Sequence, residues 1–247
     1  MDNRSYLGSI VKYEIIGFGT SSDVYQCDYF DSLFAFKEFK DPQYVSFIND
    51  RIQKLKEYYY DETDYVFPYK CIYKSPKDNL FVGYIMDYLF EYKKLSDIDN
   101  LDYNKKIIIL KKLRDLVDKF HYKYNFIHTD ICPWNIFYNE KKDNLKLFDF
   151  DTYIDLGKND NIVNNLFSEY TYEYAHKVGI DKDLDIFLYN LTVYSFLAGI
   201  DYNNALEAIN NNKLDFFDNE HVKKIFEGYK NLECKKTLKK EYVIDYL

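Results

Sequence analysis

The sequence predicts an α+β fold in two parts, strand-rich first and helix-rich after. Three observations carry this. The first 90 residues contain short segments rich in β-branched and aromatic residues, the composition of strands. From Leu101 onward apolar residues recur at spacings of three and four, the periodicity of helices. With 8 Gly and 4 Pro among 247 residues, nothing reads as a linker, a collagen-like repeat or a low-complexity tract. A chain of this length buries roughly three quarters of its unfolded surface, enough for a large core.

Taken in order, Val11–Ile16, Val24–Tyr29, Leu33–Phe39 and Leu80–Met86 are predicted strands. One helix interrupts them, marked by Val45, Ile48, Ile52 and Leu55. A boundary is expected near Asp87–Lys93, dividing the chain into 1-87 and 88-247. Beyond it, Leu101 to Tyr124 is a predicted helix carrying Ile108, Leu110, Leu113, Leu116, Val117 and Phe120. Strand-like pieces follow near Ile136–Tyr138 and Leu145–Phe148. Ile186 to Ile200 is apolar, interrupted by Asn190 and flanked by Asp185 and Asp201. It is short for a membrane span and reads as a buried helix. Amphipathic helices are expected from there to the C-terminus.

The charge balance, 33 Lys+Arg against 41 Asp+Glu, gives −8. That argues against duplex nucleic acid, which needs a clustered basic surface, and against an anionic membrane surface. Cys27, Cys71, Cys132 and Cys234 lie far apart with no C-x-x-C pair, so neither a zinc site nor a disulfide framework is suggested. The polar start Met1-Asp2-Asn3-Arg4 lacks the apolar run of a signal peptide, and a cytoplasmic location is the expectation.

Three constellations bear on chemistry. Ile16-Gly17-Phe18-Gly19-Thr20-Ser21-Ser22-Asp23-Val24 lies between two predicted strands. Glycines there let backbone N–H groups approach phosphate oxygens, although a hairpin turn uses the same pattern. In Phe34-Ala35-Phe36-Lys37-Glu38-Phe39, alternation puts Lys37 on one face with Leu33, Ala35 and Phe39. An ammonium among apolar neighbours needs an anion, such as an ATP phosphate, unless its stem merely lies along an edge strand. The decisive constellation is His128-Thr129-Asp130-Ile131-Cys132-Pro133-Trp134-Asn135 followed by Phe148-Asp149-Phe150-Asp151. Phosphoryl transfer needs a carboxylate for the acceptor hydroxyl and oxygen ligands that hold Mg²⁺ against the phosphates. Asp130, Asn135 and Asp149 supply those groups at the ends of short strands.

With these motifs in this order, the chain resembles the protein-kinase superfamily over nearly its whole length. The resemblance implies a bilobal fold, with an antiparallel-sheet N-lobe bearing one main helix and a mostly helical C-lobe. It implies ATP and Mg²⁺ as cofactors and a protein or small-molecule hydroxyl as acceptor. Gly17, Gly19 and Ser22 would cover the phosphates and Lys37 would hold them. Tyr84 to Leu89 resembles the last small-lobe strand and hinge, with Met86 the gatekeeper and the backbone of Asp87 to Leu89 meeting adenine. Ile16, Val24 and Ala35 would lie over the nucleotide, and Phe137 beneath it. Asp130 would be the catalytic base, with Asn135 and Asp149 the metal ligands. Asp185, in Asp183 to Leu191, matches a buried aspartate that braces the catalytic loop. Val222 to Leu247 matches the closing helices.

The departures are specific. Ser22 stands where the third loop glycine would be. Thr129 replaces the arginine that docks a phosphorylated activation loop, so such phosphorylation is not expected to be the switch. Cys132 replaces a lysine usual in Ser/Thr kinases, and Asp151 replaces a glycine, as in kinases of the aminoglycoside and choline type. Either Asp50 or Glu57 could partner Lys37, and a solvated face is the simpler account of both. His121 and His128 read as packing and bracing histidines, and Cys132 as a buried thiol. A Ser/Thr protein kinase is the leading expectation. The alternatives are a small-molecule kinase and a weakly active nucleotide-binding pseudokinase.

Overall fold

A computed structural model describes residues 4–61, 63–98, 100–157, 168–230 and 240–247. The fold is mixed α+β and divides into two compact units, the first ending at Tyr92 and the second beginning at Lys93.

The first unit is a six-stranded sheet in the order β1-β5-β6-β4-β3-β2. Its strands are β1 (Ser5–Tyr6), β2 (Ile10–Phe18), β3 (Ser22–Tyr29), β4 (Ser32–Phe39), β5 (Lys70–Tyr73) and β6 (Phe81–Asp87). The β1–β5 pair is parallel and the others are antiparallel. Cys27, Tyr29, Phe36, Ile72 and Ile85 form an apolar core from alternate positions along their strands. Helix α1 (Pro42–Lys56) buries Val45, Ile48, Ile52 and Leu55, the predicted stripe, and packs on β4, β5 and β6. Gly83 on β6 sits so close to β4 that a Cβ there would overlap the Lys37 carbonyl oxygen. The four predicted strands are present with ends extended by one or two residues, except that β6 begins one residue later than Leu80. β1 and β5 were not predicted, being too short to show alternation.

The second unit contains β7 (Lys93–Lys94), α2 (Tyr103–Tyr124), β8 (Phe126–Ile127), β9 (Ile136–Asn139), β10 (Asn144–Leu147) and β11 (Ile154–Asp155). Then come α3 (Glu169–Lys177), α4 (Lys182–Ala198), α5 (Ala205–Asn210) and α6 (Glu220–Glu227). Helix α2 begins at Tyr103 rather than Leu101, because the Asp102 carboxylate caps it by accepting the Lys105 N–H (2.9 Å). Its buried face runs through Ile109, Leu110, Leu113, Val117, Phe120 and Tyr124. Ile108 is 47% exposed, a correction to the predicted stripe: two residues from Leu110, it lies across the helix. Leu116 is half-buried.

Helix α4 is buried almost all round from Leu184 to Phe196, as its unbroken apolar run requires. Its interrupting Asn190 is fully satisfied. Nδ2 donates to the Tyr229 hydroxyl (2.5 Å) and the Glu241 carbonyl (2.8 Å), and Oδ1 accepts the Val243 N–H (3.0 Å). The expected closing helices reduce, among the described residues, to α6 and a 3₁₀ turn at Val243–Tyr246. Residues 231–239, including Cys234, lie outside the described set. Cys27, Cys71 and Cys132 are buried free thiols. No helix among the described residues is long and apolar enough to cross a membrane.

Candidate functional site

In the second unit, two short sheets enclose the decisive constellation. β8 pairs with β11 at Ile127↔Ile154, and β9 pairs with β10 at Ile136↔Leu147. Residues 128–135 and 148–153 therefore run opposite one another between these two pairings. Asn125, at φ 57°, ends α2 in the left-handed conformation and turns the chain into β8.

Asp185 anchors this loop from α4 and is fully buried. Its Oδ2 accepts the His128 N–H (2.7 Å) and lies 2.7 Å from His121 Nε2, and its Oδ1 accepts the Thr129 N–H (2.9 Å). A buried carboxylate is tolerable when its lone pairs are occupied in this way. The His128 ring is also fixed. Nδ1 accepts the Asp130 N–H (3.2 Å), so Nε2 carries the proton and donates to the Phe148 carbonyl (3.0 Å). Burial lowers its pKa below the ordinary histidine value and favours this neutral tautomer. The expected packing and bracing roles of His121 and His128 thus correspond to specific bonds.

Asp130 and Asn135 meet directly: Asn135 Nδ2 donates to Asp130 Oδ2 (2.7 Å) and to its backbone carbonyl (3.0 Å). The Asn135 carbonyl accepts the Phe148 N–H (3.0 Å), which ties the loop to the residue before Asp149. Asp149 is half-buried at φ 64°, and Thr129 is buried at φ 71°. A β-branched residue at positive φ is an outlier that persists only where its surroundings over-determine it, and such positions cluster at functional sites. Asp151 is 2% exposed. The Cys132 thiol is fully buried, lies 3.5 Å from the Asp130 carbonyl oxygen, and has its pKa raised by burial.

In the first unit, strand register assembles the other predicted residues. Gly17 pairs with Val24, Val24 with Lys37, and Lys37 with Tyr84, a row straight across the sheet. Ala35 pairs with Met86 two positions along, so Val24, Ala35, Lys37 and Met86 share one face. Lys37, Ala35 and Met86 are each no more than 4% exposed, and Ser22 is buried. Gly19 donates its N–H to the Ser22 carbonyl (2.8 Å), closing the loop between β2 and β3. Ile16 is exposed, and Gly17 and Leu89 are half-buried. The Asp87 side chain accepts the Tyr59 hydroxyl (2.5 Å), and burial, with this bond second, raises the tyrosine pKa. Asp50 and Glu57 are both exposed, the solvated-face arrangement. Phe137, in the second unit, stacks edge-to-face on Phe148 at 5.6 Å.

Among the described residues, no group of three or more His, Cys, Asp and Glu is gathered to hold a metal ion. Sequence reasoning missed Gly83 and the hydroxyls of Thr152 and Thr171. Gly83 could have been suspected from the rarity of glycine in this chain. The two threonines are brought to Thr129 by tertiary contact alone, which no local pattern announces.

No protein-family model matches this chain, and no curated protein matches it significantly.

Proposed function

We propose that the protein is an ATP- and Mg²⁺-dependent phosphotransferase with a bilobal, protein-kinase-like arrangement. It moves the γ-phosphate to a hydroxyl acceptor, in the manner of a Ser/Thr protein kinase. The observation that carries this is the Asp130–Asn135 hydrogen bond, within a loop braced by buried Asp185 and tied to the segment bearing Asp149.

In this assignment Asp130 orients the acceptor hydroxyl and takes its proton as the new O–P bond forms. Lys37 places a cation on the α- and β-phosphates, and the Gly17–Ser22 loop offers them backbone N–H groups. An added Cβ at Gly17 would make only an ordinary 3.5 Å contact with Val24 Cβ, so packing does not demand glycine there. Close approach of a ligand to the backbone is a reason for it. Val24, Ala35 and Met86 give the adenine an apolar face. Asn135 and Asp149 offer hard oxygen donors suited to Mg²⁺. Asn135 spends Nδ2 on Asp130, which leaves Oδ1 as its donor to a cation. Two protein ligands are few for a free-standing cage but fit an ion that arrives with nucleotide phosphates and keeps its waters. When bound, Mg²⁺ neutralises charge on the phosphates during transfer.

The test is ADP release and phosphate incorporation with ATP and Mg²⁺. Asp130→Asn and Asp149→Asn should each lower the rate by about 100-fold or more, and chelation of Mg²⁺ should abolish it. Unchanged transfer by Asp130→Asn sinks the assignment of the base.

A small cationic alcohol as acceptor is favoured by two observations: Cys132, not a lysine, stands buried two residues after Asp130, and Trp134, two residues on, packs edge-to-face with Tyr202 at 5.2 Å. Comparing transfer to choline, an aminoglycoside and dephosphorylated casein separates the two acceptor classes.

A further inference from the structure

We infer that Thr171, on helix α3, is a positioning residue for Asp130, acting through the peptide that joins Thr129 to Asp130. Both polar groups of that peptide are held. Its N–H, on Asp130, donates to His128 Nδ1 (3.2 Å). Its carbonyl, on Thr129, accepts the Thr171 hydroxyl at 2.5 Å. Thr171 is completely buried, and its Oγ1 in turn accepts the Ser168 hydroxyl (2.9 Å), so a chain of hydroxyls runs from the N-cap of α3 to the catalytic loop.

The remaining groups of Thr129 are equally committed. Its N–H donates to Asp185, and its hydroxyl proton is shared between the Thr152 carbonyl (3.0 Å) and the Thr152 hydroxyl (2.9 Å). Three residues on different segments, through four hydrogen bonds, therefore hold one residue at φ 71°. A strained conformation persists when it is over-determined in this way. The peptide plane sets the direction in which the Asp130 side chain leaves the backbone. Of the bonds on that plane, the one from Thr171 comes from outside the loop and its hairpin.

The two Thr171 contacts, with the Thr129 carbonyl and the Ser168 hydroxyl, are between neutral groups. No charged group, and hence no phosphate on another residue, is required to form them. The latch is set by folding α3 against the loop, so Asp130 is held in place without an activating modification.

The inference rests on the assignment of Asp130 above, so the experiment uses two readouts on the full chain. The first is kcat and KM for ATP, with Mg²⁺ and dephosphorylated casein. The second is amide exchange of residues 126–131 compared with residues 184–196 of α4. Thr171→Val keeps the shape but loses the hydroxyl, and Thr171→Ser keeps the hydroxyl. For Thr171→Val we expect kcat to fall by about 10- to 100-fold with KM changed less than about twofold. Loop exchange should be at least about tenfold faster while α4 exchange is unchanged. Thr171→Ser should recover most of the rate and the protection. The inference is overturned if Thr171→Val keeps the wild-type loop exchange, if Thr171→Ser fails as badly as Thr171→Val, or if α4 loosens as much as the loop. It is overturned equally if the loop loosens while a measurable kcat stays at the wild-type value. A wild-type chain with no transfer above Asp130→Asn sinks the phosphotransferase assignment instead, and the exchange readout then decides the positioning claim by itself.

Discussion

His128 binds its proton on Nε2 and accepts the Asp130 N–H on Nδ1, so a second proton would expel that N–H. Burial holds its pKa below the ordinary value. The sign follows from linkage: the unfolded chain takes up a proton near pH 6.5 while the folded chain does not. His128 therefore contributes stability that is full above about pH 6.5 and is lost progressively below it, as pH falls toward the lowered folded pKa. Urea unfolding at pH 7.5, 6.5 and 5.5 should show stability declining toward acid, with a shallower decline in His128→Gln. At Asp185, replacement by Ala leaves the buried His128 and Thr129 N–H groups without their acceptor. The expected cost is about 3 kcal/mol, read as a lowered urea midpoint at constant m. Asp130 and Asn135 stood out in the sequence by residue type and spacing, and the structure joins them by a hydrogen bond. The hydroxyl bonds that hold Thr129 were not legible there, because Thr152 and Thr171 come to it from segments that sequence order keeps apart.

Elements whose own residues decide their structure were readable, and elements made by pairing were not. The apolar periodicity of α1 and the alternation along β3 and β4 survive with small changes at their ends. β8 and β11 are two residues each and exist because Ile127 meets Ile154 across 26 intervening residues. The hairpin between β3 and β4 illustrates a second limit. Tyr29 pairs with Ser32, leaving Phe30 (φ 48°) and Asp31 (φ 59°) as a two-residue turn with both φ values positive. Such turns prefer Asn-Gly, and Phe-Asp gives no warning of one. Replacing the pair by Asn-Gly should stabilise the first unit by about 1 kcal/mol, measured as a raised thermal midpoint, because the strained positions gain residues suited to them. Gly83→Ala should do the reverse. Its methyl group would push β6 away from the Lys37 carbonyl, at a cost of about 1–3 kcal/mol.

At the scale of the molecule, the division near residue 90 was legible from composition alone, since strand-forming and helix-forming segments are segregated along the chain. If the proposed function holds, Mg·ATP at about 100 times its dissociation constant should stabilise the chain by about 2.7 kcal/mol through mass action. Amide exchange with and without Mg·ATP should show added protection around both Lys37 and Asn135. Protection at only one of these two positions would contradict the role proposed for the other.

The buried free thiols carry a practical consequence. Burial raises Cys27 and Cys71 to about 11 and lifts Cys132 above its ordinary value, so in the native state each is both shielded and protonated. An alkylating reagent can modify them only during excursions that expose them. Two of these sulfurs lie in the first unit and one in the second. In a Cys234→Ser chain, the order in which native labelling reaches these three positions is an internal clock for which half of the molecule opens first.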